Sequence, residues 1–133
     1  METLHDNEYA RIEWDASRSL LTFRRTRKPF ASLRDALAEM ETLRTQAERV
    51  GLRTSAILVD SREAPLRADP EFEALSEKHF LPLVKRFRRA AVLIASATGR
   101  LQVGRIRREQ SAGYEVFDEV GAALAFLASE GRA

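Results

Sequence analysis

The stretch Thr54-Ser-Ala-Ile-Leu-Val-Asp-Ser-Arg62, followed closely by Ala68-Asp-Pro-Glu-Phe-Glu-Ala-Leu75, decides how this chain folds. Ala56 to Val59 is apolar at every position, which suits a strand covered on both faces and is too short for a helix. Asp60, Ser61 and Arg62 end the apolar run as a loop. Asp69 then offers a side-chain acceptor to the first turn of a helix, and Pro70 stands where a missing N–H costs nothing. A buried strand that opens into a polar loop and a capped helix is the repeating unit of open α/β sheets. Ligands of such sheets lie in the crevice outside the carboxyl ends of the strands.

The flanking sequence extends this unit. Ala90-Ala-Val-Leu-Ile-Ala95 repeats the two-sided apolar strand. Leu33, Ala36, Leu37, Met40, Leu43, Ala47 and Val50 recur at helical spacing, with Ser32 as N-cap, Asp35 three residues on, and Gly51 as the left-handed stop. Upstream, Tyr9 to Trp14 and Leu20 to Thr26 alternate as a hairpin about Asp15-Ala-Ser-Arg-Ser19. Ala10, Ile12, Trp14, Leu21 and Phe23 point inward, and Arg24-Arg-Thr-Arg-Lys28 forms a charged exit. Downstream, Phe72, Leu75, Phe80, Leu83, Val84 and Phe87 make the buried face of a second helix, broken near Lys78 to Leu81 by Pro82. Ser96-Ala-Thr-Gly99 leads into a third helix over 100–110. Tyr114 to Phe117 is a last strand, and Asp118 caps a final helix carrying Val120, Leu124 and Leu127.

The expected order is therefore β-β-α-β-α-β-α-β-α, an α/β fold with a mixed five-stranded sheet. Right-handed crossovers make strands two to five parallel and leave strand one antiparallel at an edge. The 133 residues read as one domain, 1–133, with its core over about 8–129. Leu37 and Leu93 are expected to be fully buried.

Composition removes several function classes. With no cysteine, disulfides, thiolate catalysis and sulfur-ligated metals are excluded, and two histidines, His5 and His79, give little basis for an imidazole site. No cofactor or metal is expected. No apolar run is long enough to span a membrane, and the first residues lack the pattern of a signal peptide, so a cytoplasmic location is the expectation. Of the 22 basic residues 19 are Arg, but 20 acidic residues leave a net charge of only +2. A general attraction to nucleic acid does not follow from so small a net charge.

The order of elements, with Ala56-Ile-Leu-Val-Asp-Ser-Arg62, the short loop to Ala68-Asp-Pro-Glu-Phe-Glu-Ala-Leu75 and the closing Tyr114-Glu-Val-Phe-Asp-Glu-Val-Gly-Ala-Ala-Leu-Ala-Phe-Leu127, resembles the STAS family of sulfate-transporter and anti-sigma-factor-antagonist domains. It is similar in particular to the divergent bacterial branch of small stand-alone proteins. The resemblance covers roughly residues 8–129 and rests on pattern, without a diagnostic motif. It implies a non-enzymatic regulatory or scaffolding domain in signal transduction. In the antagonists, a strand-end Asp precedes an Asp-Ser-Ser-Gly motif whose serine is phosphorylated. Asp60 and Asp69 match the two aspartates, but Pro70 and Glu71 occupy the acceptor positions, so the phosphoswitch does not carry over. Glu71 at a helix N-terminus could imitate a permanent charge.

The candidate interaction surface comprises Asp60, Ser61, Arg62, Glu63, Asp69 and Glu71 at the carboxyl edge of the sheet, near Ser96, Thr98 and Asp118. The competing reading makes Asp60 and Ser61 loop-forming residues and pairs Arg62 with a neighbouring acid. A secondary basic patch comprises Lys85, Arg86, Arg88, Arg89, Arg105, Arg107 and Arg108. It would suit an anionic surface, with solvated charge as the plainer explanation. His79 sits on the margin of an apolar face and reads as packed, and Thr98-Gly-Arg-Leu-Gln-Val-Gly104 lacks the spacing of a phosphate loop. The leading expectation is a protein partner at the carboxyl edge. One alternative is a carrier of an apolar small molecule or lipid, marked by a cavity lined by the aromatic residues of the second helix. A small enzyme is the weaker alternative. It would require a deep polar pocket with a strongly shifted titratable group.

Overall fold

A computed structural model of the chain describes residues 1–65, 67, 69–95 and 113–129. The strands are β1 (Glu2–Asp6), β2 (Ala10–Asp15), β3 (Leu20–Arg25), β4 (Ala56–Asp60), β5 (Arg89–Leu93) and β6 (Glu115–Phe117). The helices are α1 (Leu33–Val50), α2 (Pro70–His79), α3 (Leu81–Val84) and α4 (Val120–Ala128). The fold is α/β. Strands lie side by side in sequence order, antiparallel from β1 to β3 and parallel from β3 to β6.

The sheet has six strands rather than five, because Glu2–Asp6 pairs with β2 and takes over the edge position expected of the Tyr9–Trp14 strand. Leu4 is the only large apolar residue in β1, and the register slips between Thr3 and His5, so no clean alternation marks it in the sequence. The structured core therefore begins before residue 8. The final helix is capped by Glu119, whose carboxylate accepts from the N–H groups of Gly121 and Ala122 at 2.9 Å each, and not by Asp118. The expected helix over 100–110, with Ser96, Thr98, Arg105, Arg107 and Arg108, lies outside the described residues.

Period-two alternation splits the core into two layers. Ile12, Leu21, Phe23, Ile57, Val59, Val92 and Ile94 face α1 and α3, meeting Leu43, Ala47, Leu81, Leu83 and Val84. Leu20, Leu58, Ala91 and Leu93 face the other way, onto Ala123 and Leu127 of α4. Both faces of β4 and β5 are thus covered, as their uninterrupted apolar runs require.

Helix α1 begins at Ser32, whose side chain accepts from the Asp35 N–H at 3.1 Å, and ends at Gly51, whose φ of 89° is a conformation costly for any other residue. Its buried face is Ala36, Glu39, Met40, Leu43 and Ala47. Leu37 is only partly buried and Leu33 is exposed. The helix is rotated so that a glutamate takes a place the apolar stripe assigned to Leu37.

Pro82 interrupts the second helical run where expected, because it has no N–H to donate to the preceding turn. Helix α2 ends at His79 and α3 starts at Leu81. Burial is divided unequally between the two pieces. Leu81, Leu83, Val84 and Phe87 are buried, whereas no residue of α2 is, and Phe72, Leu75 and Phe80 are half-buried. No helix of the described residues is long and apolar enough to cross a membrane.

Candidate functional site

Because α2 packs on α1 without seating its apolar side chains on the sheet, a cavity of about 440 Å³ remains between α1, α2 and the carboxyl half of β3, β4 and β5. Its wall is predominantly apolar, with Phe23, Phe30, Met40, Val59, Phe72 and Phe80 contributing. The volume is in the range of small-molecule sites. The Phe30 and Phe72 rings lie 6.3 Å apart, Phe23 and Phe80 6.4 Å, and the Tyr9 ring meets Phe30 at 5.1 Å with its plane tilted by 47°. Tyr9 is fixed by its hydroxyl, which donates to Asp35 Oδ2 at 2.8 Å and accepts from the Ala31 N–H at 3.3 Å.

Five charged side chains line this cavity, Arg25, Glu39, Arg62, Arg67 and Glu73, and of these Arg25 and Glu39 are buried. Arg25 ends β3 on the inward phase set by Leu21 and Phe23, and it is 9% exposed. Its Nε donates to Tyr9 O at 3.0 Å and its Nη2 to Lys28 O at 3.2 Å, and the guanidinium lies 3.9 Å from the centre of the Phe30 ring. Burial pushes the guanidinium below its ordinary pKa, Glu39 partly restores it, and Arg67 lowers it further. Glu39, 5% exposed, accepts from His5 Nε2 at 3.1 Å and from Asn7 Nδ2 at 2.9 Å. The β1–β2 segment is what makes a buried carboxylate on α1 tolerable, since an unpaired one would be costly.

The expected interaction residues divide by depth. Asp60 is 3% exposed and is not a surface residue. It accepts from Arg62 Nε at 3.0 Å, Arg62 Nη2 at 2.8 Å and the Arg62 N–H at 3.2 Å, and from Arg24 Nε at 3.3 Å. Burial alone would raise its pKa, but the hydrogen bonds and charges of Arg62 and Arg24 together hold it below the usual carboxylate range. Ser61 donates its N–H to Leu93 O at 2.8 Å and lies on the cavity wall with Arg62. Glu63 is exposed and pairs with Arg27 at 3.3 Å. Asp69 caps α2 by accepting from the Phe72 N–H at 3.1 Å and receives Arg67 at 2.8 and 2.9 Å. The Arg67 guanidinium in turn lies 4.7 Å from the Phe72 ring centre. Glu71 is exposed in the first turn of α2.

A carboxylate whose folded-state pKa is depressed stabilises the fold above its unfolded value, near 3.9, and the contribution disappears as the pH falls through the lower folded value. Asp60→Asn is therefore expected to be less stable than wild type at neutral pH. The difference should narrow below about pH 4, as measured by denaturant unfolding across that range. A difference independent of pH would show that the charge of Asp60 is not what the arginines hold.

The described part of the basic patch is largely engaged. Arg88 donates from Nη1 to Ser129 O at 3.1 Å and from Nη2 to Leu127 O at 3.0 Å, satisfying carbonyls at the end of α4. Arg89 lies 4.6 Å from the Phe126 ring centre, and Arg86 faces Glu48 at 3.9 Å beside a surface recess of about 460 Å³. Lys85 is exposed. His79 is half-buried. No group of three or more His, Asp or Glu side chains among the described residues is placed to hold a metal.

Arg25 and Glu39 are the residues that sequence reasoning missed. Strand phase marks the first, because Leu21, Phe23 and Arg25 alternate in step; Arg25 was hidden among the charges of Arg24 to Lys28. Nothing local marks Glu39, whose burial depends on His5 and Asn7 more than thirty residues away. No protein-family model, curated protein or solved structure matches this chain.

Proposed function

We propose that this chain is a STAS-like domain that binds a small, largely apolar molecule in the cavity between α1, α2 and the sheet. The observation that carries the reading is the state of α2: Phe72 on the helix and Phe80 just after it are only half-buried and line an open volume of about 440 Å³. Half-buried aromatic rings beside a void forgo apolar contact that a ligand would supply. The position, at the carboxyl ends of parallel strands, is where open α/β sheets bind ligands. A regulatory domain that docks a protein at the same edge would use the exposed Arg62, Glu63 and Glu71. That reading has less support, since the exposed large apolar residues among those described, Met1, Leu33 and Val120, come from separate elements.

The test is native mass spectrometry of the protein purified from its host, with Ser76→Phe beside it. Ser76 lies on α2 at the cavity wall and is only partly buried, so a phenyl ring there occupies the void without displacing core residues. Wild type is expected to carry a small apolar molecule and the variant to have lost it. The variant's unliganded melting temperature should be unchanged or raised, as cavity filling commonly adds about 0.5–2 kcal/mol. A wild-type protein that is empty, and whose melting temperature no apolar molecule raises, would overturn the reading.

A further inference from the structure

We propose that the ligand of this cavity carries a carboxylate, and that Arg25 is the residue that receives it. The proposal rests on the cavity being a ligand site and adds the chemistry of the ligand's polar end. Arg25 has five N–H donors. Two are directed to the carbonyls of Tyr9 and Lys28, and among the described residues nothing receives those of Nη1. The side chain is more than nine-tenths buried, lines the cavity, and forms no ion pair with a described carboxylate. A buried guanidinium whose Nη1 donors meet no described acceptor is incompletely repaid for its desolvation, and burial also lowers its pKa.

Glu73, partly buried on α2, also lines the cavity and has an interaction of its own, and the remaining charges at the wall have named partners. Glu39 has an N–H donor on each oxygen, from His5 and Asn7, and Arg62 and Arg67 are held by Asp60 and Asp69. A cationic ligand would find each oxygen of Glu39 already holding one N–H donor and the guanidinium of Arg25 opposing it. A neutral ligand would leave Arg25 unpaired. An anion with two coplanar oxygens fits the planar fork best. Phe30, against which Arg25 is stacked, also lines the cavity, so the fork is held at an apolar wall with little freedom to lose on binding.

Decanoate and naphthoate, each paired with its neutral alcohol, and decylammonium are suitable probes for calorimetric titration at neutral pH. They separate acyl from aryl bodies as well as acid from neutral and cationic ends. Wild type is expected to bind at least one acid about tenfold or more tighter than its alcohol. The order is informative because the alcohols are the more hydrophobic partners. Arg25→Met should abolish the preference of acid over alcohol, and Arg25→Lys should restore part of it. If Arg25→Met does not fold, the wild-type preference and Arg25→Lys still decide the matter. Equal binding of acids and alcohols, or tighter binding of decylammonium, would overturn the carboxylate assignment while leaving a ligand site intact. Failure of every probe to bind would count against the site itself, and the assignment would fall with it.

Discussion

Replacing Leu93 with alanine is expected to cost about 2–5 kcal/mol of stability, enough to lower the melting temperature by roughly 6–25 °C for a domain of this size. Leu93 is completely buried in β5, paired with Asp60 on one side and Phe117 on the other, and seated on Ala123 and Leu127 of α4. Both neighbouring strands are fixed by the sheet, so the gap cannot close by a side chain swinging in, and the cavity term adds to the lost transfer free energy. Leu37→Ala provides the comparison. Leu37 is only partly buried, so its truncation should cost clearly less than that of Leu93. Chemical unfolding of both variants checks the order, and equal costs would mean that α4 does not cover β5 as described.

The contrast between these leucines shows where the sequence was legible. Both faces of β4 and β5 are buried, so a wholly apolar run was sufficient to place them, and any register keeps the same residue types inside. The caps at Ser32, Gly51 and Asp69 and the break at Pro82 were equally readable, because each is decided by chemistry within a turn of the chain. Leu37 depends instead on the rotation of α1 about its own axis. That rotation buries Glu39, and Glu39 is stable there only because β1, a strand with almost no pattern, delivers His5 and Asn7 to it. The candidate site follows the same division. Its place at the carboxyl edge was legible from the strand, loop and helix around Asp60. The cavity was not, because the spacing of Phe72 and Phe80 says that they are on one face but not how far that face stands from the sheet.

Substituting Glu39 tests this dependence directly, and Glu39→Ala is expected to cost about 1–3 kcal/mol, the range for leaving buried polar groups unpaired. Two separate losses contribute. The side chains of His5 and Asn7 lose their acceptor, and Arg25 loses the carboxylate whose field partly offsets its burial. The losses can be separated, because Asn7 is exposed and His5 half-buried, so water can replace much of the first but little of the second. A double-mutant cycle of Glu39→Gln with Arg25→Met isolates the charge. If the field of Glu39 supports the buried cation, Glu39→Gln should cost more when Arg25 is present than once it is gone, giving a coupling of about 0.5–3 kcal/mol. Strictly additive costs would mean that Arg25 is balanced by something other than Glu39. The same cycle bears on ligand choice, since a cation that remains under-compensated even with Glu39 in place is stabilised further by any carboxylate brought to its free donors. A carboxylate ligand should therefore raise the melting temperature of Glu39→Gln by more than that of wild type.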